Sequence, residues 1–167
     1  MSKGPVKTNV MRQLDRKKIP YRTAEYEVDE SDLSGVHAAA VMGVDPAMLF
    51  KTLVAKGEHK GYCVFCIPVA EELDLKKCAH AAGDKRVEML PLKDLTAVTG
   101  YVRGGCSPVG MKKAFPTYIH ESAESLPEIG VSAGQRGVQV FLNPKDLAGF
   151  VRAGFADLIR GESEEES

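Results

Sequence analysis

The chain has 167 residues, 44% hydrophobic and 27% charged, with 16 Gly, 9 Pro, no Trp and a net charge of −1. That length suits one domain able to bury its own core, and the balance excludes both a mostly disordered chain and a polycation. The longest apolar run, residues 62–70, contains a Pro and is too short to span a bilayer, and no apolar segment follows the N-terminal Met-Ser-Lys-Gly-Pro, so a cytoplasmic, membrane-free protein is expected.

In chain order, residues 9–18 read as a helix with Val10, Met11 and Leu14 on one face and Pro20 as its stop. Residues 21–28 read as a strand, and 36–41 as an Ala-rich helix closed by Gly43. Asp45-Pro46 has the form of a helix start, a capping side chain followed by Pro. Two apolar runs, 49–56 and 62–69, flank a loop with Gly at each end and predict a hairpin. Asp74 caps a predicted helix over 75–82, closed by Gly83. A strand over 86–90 and a helix over 91–98 precede a glycine-rich loop, 100–110. Strands are predicted at 117–120, 129–132 and 138–142, a helix from Asn143-Pro144 to Val151, and a last strand at 155–159.

These elements intermix without a steady βαβ rhythm. The predicted fold class is therefore α/β mixed: a single domain with a mixed, twisted, barrel-like sheet surrounded by helices. The domain is expected to occupy residues 1–161, with 162–167 as an acidic, disordered tail. That tail holds four Glu and no base, which leaves 22 bases against 19 acids in the body, a modestly basic surface.

The four cysteines, at 63, 66, 78 and 106, are expected as reduced thiols. Cys63 and Cys66 have CxxC spacing, but residues three apart on a strand point to opposite faces. No second ligand pair stands at zinc spacing, so the reading calls for no metal and no cofactor. His37, His59, His80 and His120 are scattered, no nucleophile elbow is present, and no phosphate-binding glycine signature is complete. More informative is Lys51, inside the run Leu-Phe-Lys-Thr-Leu-Val. A lysine there either reaches solvent or faces a polar cavity that holds an anion. The loop 100–110 carries glycines that let backbone N–H groups converge on one oxygen, stiffened by Pro108. A further turn, 132–137, adds glycines and Arg136.

Together these segments resemble the YbaK-type editing proteins, relatives of the inserted editing domain of bacterial prolyl-tRNA synthetase. The likeness runs in order through Phe50-Lys51-Thr52-Leu53, Pro68-Val69-Ala70, Leu73-Asp74-Leu75-Lys76-Lys77, Val87-Glu88-Met89, Thr99-Gly100-Tyr101, the stretch from Gly104 to Gly110, and Arg136-Gly137. The resemblance implies a trans-editing aminoacyl-tRNA deacylase acting on mischarged tRNA, with Cys-tRNA(Pro) as the substrate of the YbaK branch. The same resemblance leaves Ala-tRNA(Pro) as an alternative substrate, and a non-catalytic tRNA- or synthetase-binding module as an alternative role. Expected partners are the 3′ acceptor end of mischarged tRNA and prolyl-tRNA synthetase, with no DNA.

Carried onto this sequence, the family lysine falls on Lys51 and its Gly-x-x-x-Pro loop on Gly104, Gly105, Cys106, Ser107 and Pro108. Tyr26, Phe50, Thr52, Gly134, Arg136 and Gly137 are the substrate-binding candidates. The sequence departs from its relatives at Cys106, where an aliphatic residue is usual, at Ala133, where Gly is common, and at Gln139, where an acidic residue is frequent. These departures bear on amino-acid specificity. The implied chemistry is ester hydrolysis without a protein nucleophile: Lys51 meets a terminal phosphate or backbone oxygen, loop amides polarise the ester carbonyl, and water, the ribose hydroxyl or the substrate's thiol attacks. Lys76, Lys77, Lys112, Lys113 and Arg136 are candidates for a salt-sensitive tRNA-facing surface.

Overall fold

The computed structural model describes residues 7–161; the expected acidic tail lies outside them. Helix α1 (Asn9–Arg16) opens with Thr8, whose hydroxyl accepts from Met11 N–H, and buries Val10, Met11 and Leu14. It stops before the expected Lys18, which turns the chain at a left-handed φ of 59°. Strand β1 (Arg22–Glu25) is shorter than its sequence pattern. Helix α2 (Gly35–Met42) is capped by Ser34 and ended by Gly43 at φ 69°. Asp45-Pro46 starts no helix. The Asp45 side chain accepts from Ala47 N–H in a single turn, and the next strand begins too soon for more.

The hairpin of β2 (Phe50–Gly57) and β3 (Gly61–Pro68) forms as expected, in a register that places Lys51 opposite Ile67. Asp74 caps α3 (Leu75–Ala82) through the N–H groups of Lys76 and Lys77. After β4 (Val87–Met89), the expected 91–98 helix is divided into a 3-10 turn (Leu92–Asp94) and a short α4 (Leu95–Thr99). Strand β5 (Thr117–His120) leads into a 3-10 turn at Glu121–Ser125 that carries no sequence signature. Strands β6 (Ile129–Ser132) and β7 (Val138–Leu142), helix α5 (Pro144–Val151) and β8 (Gly154–Ala156) complete the chain.

The strands form two sheets, not one barrel-like sheet, and neither closes. The larger has the order β4-β2-β3-β5-β8, antiparallel through β2 and parallel from β3 outward; the smaller is the antiparallel β1-β7-β6. They meet where Leu49 bridges Gly130. A Cβ on Gly130 would lie 2.5 Å from the Phe141 ring and 2.9 Å from Leu49, so only glycine permits this approach. The main core lies between the sheets and under α1, with Phe50, Val64, Cys66, Ile119 and Val140 among its residues. Cys63, Phe65 and Ile67 point the other way, against α3. The CxxC sulfurs therefore sit in different clusters, as period-two alternation requires.

Candidate active site

The site follows from an interruption in the sheet. Antiparallel pairing alternates: Leu49 C=O accepts from Val69 N–H, so the odd-numbered residues of β2 turn their backbone groups to β3. The even-numbered ones turn theirs to the opposite edge, where Val54 C=O accepts from Leu90 N–H. Beyond Leu90 the chain turns at Pro91 into the 3-10 turn, so Leu92, the residue that would face Thr52 in this register, does not continue the ladder. At the other end β6 touches β2 only around Leu49. Between these two contacts the edge of β2 is open, and a cavity of about 400 Å³ lies against it.

Lys51 lines this cavity, half-buried. Among the described residues no carboxylate stands within ion-pair distance and no hydrogen bond engages its ammonium. Burial lowers its pKa, against the more distant pull of Glu72 and Glu71. Among the described residues the only other charge in the wall is Arg103, so they give the pocket two cations and no anion, and most of the remaining lining is apolar. Among the described residues it contains no histidine. Its hydroxyls are those of Tyr26, Ser34, Thr52 and Ser132. The Cys106 thiol also lines it, but burial pushes that thiol up to about 12, so it stays protonated and is no thiolate nucleophile.

Of the residues expected from sequence, Tyr26, Phe50, Lys51, Thr52, Gly104 and Cys106 come together in the wall of this one cavity. The others stand behind it. Gly105 packs on the 134–136 turn so closely that a Cβ would lie 3.1 Å from Gln135 Cα and 3.2 Å from Arg136 N. Gly104, at φ 85°, turns the loop outward. Ser107 is fully buried, its hydroxyl accepting from Val109 N–H, and Pro108 is buried beside it. Arg136 donates from Nε to Arg103 C=O at 2.8 Å, and its Nη1 lies 3.7 Å from Glu30. Gly134 and Gly137 shape that turn, and Gly137 C=O accepts from Tyr26 N–H. Arg136 and its glycines thus hold the loop and Tyr26 in place. Lys77 is likewise a fastener, bonded to Ile159 C=O at 2.8 Å and Asp157 at 3.0 Å.

Residues 33–150 match the aminoacyl-tRNA editing domain. The chain belongs to this family. Within the editing-domain family it is 48% identical, over 93% of its length and 95% of the relative's, to an Enterococcus faecalis protein named "Putative Cys-tRNA(Pro)/Cys-tRNA(Cys) deacylase EbsC". It superposes with a TM-score of 0.75, at 28% identity over 84% of this chain and 87% of the other, on a crystal structure described as a "putative trans-editing enzyme for prolyl tRNA synthetase". A hypothetical protein of known structure shares the fold, with a TM-score of 0.82 at 20% identity over 90% and 99% of the two chains.

Sequence reasoning missed several parts of this editing-domain pocket. The start of α2 contributes Ser34, Gly35 and Ala38, because Gly35 lets the helix sit on Val69: a Cβ there would fall 2.3 Å from its methyl. Leu92 and Leu95 enter through the turn after Pro91, which was the visible signal. Gln139, which the sequence already set apart as a departure bearing on specificity, also lines the wall, 6% exposed, and its Oε1 is buried without a hydrogen-bond partner.

Proposed function

We propose that this protein is a trans-editing deacylase that hydrolyses the ester of a mischarged aminoacyl-tRNA, with Cys-tRNA(Pro) as the substrate. The observation that carries this reading is a half-buried Lys51, unpaired among the described residues, in the same apolar cavity as the Gly104–Cys106 turn, in a wall to which those residues bring no carboxylate, histidine or thiolate. An aminoacyl ester is an activated acyl group, so orientation and carbonyl polarisation are the contributions a protein must add. Lys51 and Arg103 hold the phosphate at the acceptor end. The N–H groups of Gly104 and Cys106, which make no backbone hydrogen bond among the described residues, polarise the ester carbonyl. Water or the substrate's own thiol attacks. The cysteine preference is supported by the name of the 48% identical relative, and partnership with prolyl-tRNA synthetase by that of the structural neighbour. On this reading the protein works beside translation in the cytoplasm.

The test is a deacylation panel on Cys- and Ala-charged tRNA(Pro), with Lys51→Ala run beside the wild type. The wild type is expected to release cysteine fastest and Lys51→Ala to lose about 100-fold, the scale of a charge-assisted contact. Equal rates for the two proteins would remove Lys51 from the mechanism. Faster release of alanine would reassign the substrate.

A further inference from the structure

We infer that the open edge of β2 is part of the catalytic machinery: the aminoacyl group docks there as a one-residue strand, and Thr52 N–H supplies a second donor to the ester carbonyl. The inference rests on the deacylase reading above and concerns a backbone group outside the glycine loop.

A strand residue directs its N–H and C=O to the same side. At Thr52 that side is the gap, since Leu49 and Val54 fix the alternation from both ends. Phe50 marks the β6 side of the gap and Leu90 the β4 side; no strand lies between them. Residues 50–54 span about 13 Å at the usual rise per residue, room for one amino-acid residue and the start of a ribose. Edge N–H and C=O groups are a template for whatever extended chain fits beside them. A longer peptide strand does not fit, because the Leu90–Val54 bond and the Leu49–Gly130 contact close the gap at each end.

An aminoacyl ester carries the complementary pair, an ammonium and a carbonyl one carbon apart. Docked opposite Thr52, its ammonium donates to Thr52 C=O while its carbonyl oxygen accepts from Thr52 N–H. Gln139, whose Oε1 is buried and unpartnered, stands in the same wall, and among the described residues the wall holds no carboxylate. An acceptor for the ammonium and a donor for the carbonyl thus lie side by side on one residue. In the reaction the attacking oxygen or sulfur bonds to the carbonyl carbon, and the C=O pair moves onto oxygen, where Thr52 N–H and the loop amides stabilise it. The carbonyl then re-forms as the bond to the ribose oxygen breaks, and that oxygen takes up the proton the nucleophile gave up. The bond from the edge N–H strengthens as charge develops on that oxygen, so its contribution is larger in the intermediate than in the docked ester.

The test replaces the Thr52 amide with an ester, by incorporating the α-hydroxy analogue of threonine, which deletes one N–H and keeps the side chain. Loss of one such donor is expected to lower kcat by about 100-fold with little change in half-saturation. Thr52→Pro deletes the same N–H and is compatible with an unpaired edge position. The same ester replacement at Ala55, whose N–H serves the β3 ladder, should lower Tm but keep the rate of the folded protein within about twofold. If the Thr52 ester, folded to the wild-type Tm, turns over at the wild-type rate, or changes half-saturation alone, the proposal is overturned. Thr52→Pro that fails to fold leaves the ester protein to decide. A wild type inactive on every charged tRNA would instead defeat the deacylase reading itself.

Discussion

Lys51 and Lys56 sit five residues apart on one strand, and their surroundings could hardly differ more. Lys56 is exposed where β2 is hydrogen-bonded on both edges, and its ammonium rests 5.4 Å from the centre of the Tyr62 ring, its partner across the hairpin. Lys51 lies where one edge is missing, half-buried and without an ionic partner among the described residues. One decorates a finished sheet; the other was placed where the sheet was left unfinished. The open end of the strand is thus defined by where its neighbours part from it, after Leu90 and at Gly130, as much as by its own residues.

The largest expected effect breaks that contrast directly. Lys51→Ala should lower deacylation by about 100-fold, and Lys56→Ala should leave it within about twofold, measured under single-turnover conditions. Lys51→Met should also raise Tm at neutral pH. Burial lowers the pKa of Lys51 below its ordinary 10.5, with Glu72 and Glu71 opposing. Between the folded pKa and 10.5 the unfolded chain therefore binds more protons, and stability rises with pH there. Below that window the charged side chain is a net cost, which a neutral one of similar length removes. Full activity in Lys51→Met would show that charge at this position is irrelevant.

A smaller effect sharpens the contrast at the opposite wall. Gly105→Ala places a methyl 3.1 Å from Gln135 Cα and 3.2 Å from Arg136 N, backbone atoms that cannot swing aside. The loop must shift away from its support, moving Gly104 and Cys106 relative to Lys51. We expect a fall of about tenfold or more in kcat with Tm changed by only a few degrees. Gly149, where an added Cβ meets nothing, is the control: Gly149→Ala should leave the rate unaltered.

The sequence was most legible where local chemistry decides structure. The hairpin, the caps of Asp74 and Asn143 and the apolar face of α1 follow from spacing and turn residues alone. Lys51 stood out because a charge within an apolar run demands a partner or a cavity. The two-sheet architecture was not legible: whether β6 joins the large sheet depends on one contact, Leu49 with Gly130, between residues 81 positions apart. The same limit applied to the pocket. Gly35, Leu92 and Gln139 become neighbours only after the chain folds, and Arg136, expected to bind substrate, turns its guanidinium to Arg103 C=O and Glu30. Charge can be seen in a sequence, but its direction cannot.

The smallest expected effect concerns the far edge of the same sheet, which is closed where the pocket edge is open. There His120, 6% exposed, accepts from Leu158 N–H through Nδ1 at 3.2 Å, and Asp74 N–H, Lys77 and Cys78 Sγ hold the backbone carbonyls of Leu158 and Ile159. The imidazole must be neutral at Nδ1 to accept. Burial lowers its pKa from the ordinary 6.5, while Asp157, Glu121 and Glu71 pull the other way and Lys77 adds to the lowering. With the folded pKa depressed, the unfolded chain binds more protons below pH 6.5. The contribution of this contact is therefore complete above 6.5 and is lost as pH falls towards the folded value. Acidification from pH 7.5 to 5.5 should lower Tm by about 2–4 °C more in the wild type than in His120→Gln, whose amide oxygen can accept the same N–H without titrating. The deacylation rate of His120→Gln should stay within about twofold of the wild type, because the latch lies outside the pocket wall. Identical Tm profiles for the two proteins would mean that the Leu158 contact does not depend on the protonation of this histidine.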